Sequence, residues 1–271
     1  MAKKKNGSTS NGGKKQPEET RVSPSHMNRT GIAASPIHGR QMIESSEQGT
    51  PTMMADGHAA VSMRQSYIKG AEPVGTVPPP TTMKGVAKAA VQAVKGERPT
   101  VLIDKIAERL AFERTGTRLY EGLLTKLDTL GSFDGGPSRQ ELVHFHDEER
   151  QHFALLKESL EQLGADPTAV TPSADITAVE SMGVLQVIGD PRTTLPQCLH
   201  ALLVAELVDR ESWEMLVQMA RKAGQDDMAQ RFQRAESEEE EHLSAVRRWV
   251  SRYSMSSLEG RVSGTGAQPG A

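Results

Sequence analysis

Four stretches between residues 100 and 253 repeat apolar residues at alternating steps of three and four, and each carries a glutamate inside its apolar stripe. Such steps line up along one side of an α-helix. The first stripe reads Ile106, Leu110, Glu113, Thr117, Tyr120, Leu124, Leu127, and the second Leu142, Phe145, Glu149, His152, Leu156. The third reads Leu199, Leu203, Glu206, Arg210, Trp213, Val217, Ala220, and the fourth Met228, Phe232, Ala235, Glu239, His242, Val246, Trp249. An unpaired carboxylate in a protein interior costs several kcal/mol. Four that face one another require a compensating cation or shared protons, and any fold for this chain must meet that condition.

The helix ends are written in the sequence. Gly131, Gly135 and Gly136 close a first helix over about 100–130. Ser138 and Glu141 form a capping box that opens the second, which runs to Leu163 before Gly164. A third helix covers about 196–223 and stops at Gly224, and a fourth runs from Asp226 to about Tyr253. Each has 25 or more residues, about 40 Å at 1.5 Å per residue. Short connections after the first and third predict antiparallel hairpins, while the 32 residues from Gly164 to Leu195 suit a crossover. No strand pattern is present, so the fold expected is all-α: two helical hairpins joined by one long crossover.

The chain outside these stretches differs in kind. Residues 1–95 carry a net charge of +7 and residues 96–271 a net charge of −10. Of ten aromatic residues only Tyr67 precedes position 100, whereas nine of fifteen prolines do. The expectation is a disordered basic arm over 1–99, with a short amphipathic helix near 82–95, a helical bundle over 100–253 and a flexible tail over 254–271. Lysines without an aromatic or Arg-rich patch do not point to nucleic acid. No apolar run nears the roughly 20 residues needed to span a bilayer, and no signal-peptide core follows the N-terminal lysines. A cytoplasmic protein without a membrane partner is expected. The single cysteine, Cys198, offers neither a disulfide nor a zinc or redox pair.

The chemistry concentrates in Glu-x-x-His pairs, whose two side chains share a helix face and bind one metal together. With 24 Glu and 8 His in 271 residues, chance supplies roughly 0.7 such pair. Three occur. Glu141–His144 lies off its stripe, whereas Glu149–His152 and Glu239–His242 lie on theirs. Together with Glu113 and Glu206 they make six candidate ligands, four carboxylates and two imidazoles, balanced in charge by two divalent cations. Oxygen and nitrogen donors without thiolate suit iron or manganese. Seven residues after Glu113 comes Tyr120-Glu121, and seven after Glu206 comes Trp213-Glu214, so the two hairpins read as a duplicated unit. Glu236, Glu238, Glu240 and Glu241 read as a solvated face.

These residues, from Ala111-Phe-Glu113 through Tyr120, with Glu149-Arg-Gln-His152, Ala205-Glu206 and Glu239-Glu-Glu-His242, resemble the ferritin-like superfamily of ferritins, rubrerythrins and related di-iron proteins. The resemblance covers about 100–253 and implies a ferritin-like four-helix bundle. It also implies a site for two Fe ions, with Mn as the other candidate, in which Glu113 and Glu206 are terminal ligands. Glu149 and Glu239 would bridge the metals, and His152 and His242 would bind one each. The activity implied is iron oxidation or the handling of O₂ or H₂O₂, and storage in a shell would require a homo-oligomer. Arg210 departs from the pattern where the first repeat has Thr117, and no rubredoxin-like Cys₄ module is present. The alternative is a helical scaffold, a stress-associated partner-binding protein that keeps the bundle without the metals.

Overall fold

The computed structural model describes residues 57–80, 85–86 and 99–260, with four isolated helical positions between 37 and 44. Among the described residues every regular element is a helix. Two units divide the chain, Met1–Ala71 and Glu72–Ala271. The first contains α1, Gly57–Gly70, a helix inside the segment expected to be unstructured. Its apolar residues Val61, Met63, Tyr67 and Ile68 form no stripe, so periodicity gives no signal; strong helix formers such as Ala59, Ala60, Met63 and Arg64 supply the propensity. Each of its side chains from His58 to Gly70 is exposed. Of the helix expected near 82–95, Gly85 and Val86 are helical and the rest lies outside the described residues.

The second unit is built on four long helices: α2 (Pro99–Leu130), α3 (Arg139–Leu163), α6 (Leu195–Lys222) and α7 (Asp226–Leu258). Ser138 accepts from the Glu141 amide while the Glu141 carboxylate accepts from the Ser138 amide, the capping box read from the sequence. Gly164 ends α3 at φ 78°, a left-handed conformation that glycine adopts without penalty. The last helix outruns its expected end at Tyr253. Ser254 Oγ donates to the Val250 carbonyl one turn back, and the left-handed turn comes only at Gly260.

The long helices pack α2 on α3 and α6 on α7, and the two pairs meet through α2 against α6 and α3 against α7. The crossover is not extended chain. It folds into α4 (Pro172–Glu180) and α5 (Met182–Gly189), which lie against α2, with α5 also touching α6. Asp104 on α2 accepts from the amide and hydroxyl of Ser173 at the start of α4, at 3.0 and 2.7 Å. Lys126 donates to the carbonyls of Asp190 and Thr193 at 2.5 and 2.9 Å, fixing the far end. Two apolar clusters fill the interior. One contains Ile106, Leu110, Leu156, Trp213 and Phe232; the other contains Tyr120, Leu142, Phe145, Leu199, Val246 and Trp249. No helix among the described residues is long and apolar enough to cross a membrane.

Val77 packs against the first cluster, so the packed bundle takes in part of the segment 1–99 expected to be a disordered arm. Deletion of residues 1–71 is expected to leave the thermal midpoint unchanged, and deletion of 1–80 to lower it; equal midpoints would separate Val77 from the core. Ile188 is 2% exposed and its methyl fills the place of a Gly122 side chain. Ile188→Ala should therefore cost about 2–4 kcal/mol, read as a lowered midpoint by circular dichroism. Val187→Ala, at an exposed position, should change stability by less than about 0.5 kcal/mol.

Candidate metal centre

The six predicted ligands come together. Glu113, Glu149, His152, Glu206, Glu239 and His242 are each at most 2% exposed and lie midway along the four long helices. The stripes of α3 and α7 are buried residue for residue as expected. Those of α2 and α6 are not. After Glu113 the buried face steps by three to Gly116, leaving Thr117 half-buried, and after Glu206 it steps by three to Asp209, leaving Arg210 half-buried. Arg210 turns outward and pairs with Glu211, Glu214 and Glu240. The guanidinium inside the bundle is Arg109, 2% exposed, which no apolar stripe contains.

Both imidazoles aim Nδ1 at the centre. His152 Nδ1 lies 2.7 Å from Glu239 Oε1 and 3.8 Å from Glu113 Oε2. His242 Nδ1 lies 3.4 Å from Glu239 Oε2, 3.7 Å from Glu149 Oε1 and 3.9 Å from Glu206 Oε2. One donor atom each from Glu149, Glu206, Glu239 and His242 falls within 4.8 Å of the others, as do those of Glu113, His152 and Glu239. A third such set is Glu113, Glu149, Asp209 and Glu239. Glu239 belongs to all three and stands between the two histidines.

Outside the ligands runs a reciprocal layer of hydrogen bonds. Tyr120 donates to Glu206 Oε1 at 2.7 Å, and Trp213 Nε1 donates to Glu113 Oε1 at 2.9 Å. Each aromatic follows the glutamate of its own helix by seven residues and holds that of the other hairpin. The outward Nε2 atoms behave likewise, with His152 meeting Glu238 Oε2 at 2.7 Å and His242 meeting Glu148 Oε2 at 2.9 Å. A carboxylate on the far nitrogen fixes the ring and its tautomer, as in carboxylate–histidine–metal arrays. Glu238 is therefore not simply part of a solvated face. The repeated Glu-Glu-x-x-His at 148–152 and 238–242 carries that signal in the sequence.

The donor set fits a metal. Glu113 Oε2, Glu149 Oε2 and Glu206 Oε2 are buried without a hydrogen bond, and both Glu239 oxygens and both inward Nδ1 atoms face one another as ion pairs without a well-formed one; buried polar atoms are seldom left so. Five carboxylates, counting Asp209, and one guanidinium leave a formal charge of −4, which two divalent cations cancel. Without metal, protons carry that role. Burial, then Asp209, Glu149 and Glu239, pushes the Glu113 carboxyl well above its usual range, against Arg109. Burial does the same to Glu206, opposed first by His242. Burial alone would lower His152, but Glu238 and Glu239 outweigh it and raise it to about 10. Burial would raise Glu239, yet the two imidazoles bring it down to about 2.

These directions set a pH dependence. His152 stabilises the metal-free fold fully below its ordinary 6.5, and that contribution is lost as pH rises through about 10. Glu113 and Glu206 keep protons that the unfolded chain releases above 4.5, so their effect is also lost with rising pH. Glu239 acts oppositely, losing its contribution as pH falls through about 2, and Glu238, lowered by its hydrogen bond to His152, acts in the same sense. The midpoint of chelator-treated protein should thus fall from pH 6.5 to 10, and a saturating divalent metal, which replaces the protons, should flatten the fall. A flat metal-free profile would contradict the protonated centre.

Comparison with family models, with curated proteins and with solved structures finds no match for this chain.

Proposed function

We propose that this chain is a ferritin-like di-metal carboxylate protein that binds two iron ions, with manganese as the alternative metal, and uses them in iron oxidation or in reactions of O₂ or H₂O₂. One observation carries the reading. Two Glu-x-x-His pairs and one glutamate from each remaining long helix converge at one buried place, where their inward atoms lack well-formed hydrogen bonds. Bound iron would supply one-electron chemistry toward O₂ or peroxide. The residues supply the rest. Glu238 and Glu148 hold the imidazoles with Nδ1 inward. Tyr120 and Trp213 each occupy one oxygen of a terminal carboxylate and leave the other free. The apolar clusters above and below exclude water, so that charge interactions at the centre are strong.

The scaffold alternative draws on one specific feature. Arg109 and the two imidazoles place positive charge beside the carboxylates without any metal. The two readings part in a metal titration. Anaerobic Fe(II) or Mn(II) should load to two ions per chain and, at about 100 times Kd, raise the thermal midpoint by about 5–10 °C. Glu239→Gln should abolish both the loading and Fe(II) oxidation faster than in buffer. Glu241→Gln, at an exposed position, should change neither. A folded protein that binds no metal at any concentration would favour the scaffold.

A further inference from the structure

Among the described residues the two hairpins carry the same buried charged residue types except at two positions. Four residues before Glu113 stands Arg109, and four before Glu206 stands Leu202, 1% exposed. Three residues after Glu206 stands Asp209, and three after Glu113 stands Gly116. The odd residues pair with each other. Arg109 Nη1 lies 3.2 Å from Asp209 Oδ1, and Arg109 Nε lies 3.5 Å from Glu113 Oε1. The guanidinium is seated over the Phe112 ring, 3.9 Å from its centroid, and both partners are 2% exposed. Arg109 Nε and Asp209 Oδ1 nevertheless lack a well-formed hydrogen bond.

We infer that the Arg109–Asp209 pair makes the two halves of the centre unequal, so that a first cation settles at Glu206 and His242 and a second, weaker one at Glu113 and His152. This rests on the di-metal reading above. A guanidinium stays charged at any physiological pH. A cation in the Glu113–His152 half must therefore share Glu113 and Asp209 with a fixed positive charge in a water-excluded site, where repulsion is poorly screened. In the Glu206–His242 half neither charge of the pair is present, because Leu202 and Gly116 stand at those positions, and four donors group there against three at Glu113, His152 and Glu239. Arg109 is a positioning residue: it restrains two carboxylates, and it has no part in the chemistry of a bound ion.

Stepwise anaerobic addition of Mn(II) to the full chain, followed by electron paramagnetic resonance and calorimetry, tests the order. The first equivalent should bind at least about tenfold more tightly than the second and give the spectrum of an isolated ion. The second should convert it to that of a spin-coupled pair. Glu206→Gln should remove the tight step, whereas Glu113→Gln should keep it and lose the weak one. Arg109→Leu with Asp209→Gly, which copies each residue from the other hairpin, should bring the intrinsic affinities within about threefold and show coupled pairs from the first additions. Should that variant fail to fold, the wild-type order and the two glutamate variants still decide. Two equal steps in the wild type would overturn the inequality, and a tight step that survives Glu206→Gln would overturn the assigned order; either leaves the di-metal reading standing. A wild type that binds no Mn(II) would overturn the di-metal reading and this inference with it.

Discussion

Everything in the bundle answers to the concentration of negative charge at its middle. Five carboxylates lie buried in overlapping groups that share Glu149 and Glu239, and no arrangement of apolar side chains offsets that. The structure spreads the compensation over three kinds of group. Arg109 is permanent, the two imidazoles are conditional on protonation, and Tyr120 and Trp213 contribute neutral donors. The conditional part is the one a metal would displace, because imidazole coordinates only after losing its inward proton. The centre is thus held together by protons or by cations.

The reciprocity of the outer hydrogen bonds follows from the duplicated hairpin. Seven residues are two helical turns, so Tyr120 and Trp213 sit on the same face as the glutamates that precede them but farther along the helix. Two hairpins facing each other in opposite directions bring that aromatic level with the other hairpin's glutamate. The same relation sends Glu148 and Glu238 across to the opposite histidines. Removing one such donor therefore disturbs a ligand on the other hairpin.

How much of this was legible depended on the element. In α3 and α7 the stripe is unambiguous, because Phe145 and Leu156, or Phe232 and Val246, flank the ligands with bulky apolar residues. In α2 and α6 the choice between a step of three and a step of four rested on Thr117 against Gly116 and on Arg210 against Asp209. Hydrophobicity favours neither an aspartate nor an arginine, and a glycine has no side chain to weigh. Arg109 and Asp209 were invisible for a related reason: periodicity gives the face of one helix, and a charge pair between helices depends on how two faces are rotated together. The crossover helices α4 and α5, at nine and eight residues, are too short for a period to declare itself.

Gly116 links that blind spot to the geometry of the centre. A Cβ there would stand 2.1 Å from Glu149 Oε2, so the Glu149 carboxylate lies against the bare backbone of α2. At the matching position on α6 stands Asp209, whose side chain lies 3.2 Å from Arg109. Glu239 stands instead between the two inward nitrogens, 2.7 Å from one and 3.4 Å from the other. Glu149 is left 3.7 Å from His242 and makes no equivalent approach to His152. Two carboxylates at corresponding places in the repeat thus differ in reach. The repeat gives the two halves of the centre the same residue types, and they differ in charge at Arg109 against Leu202 and at Gly116 against Asp209.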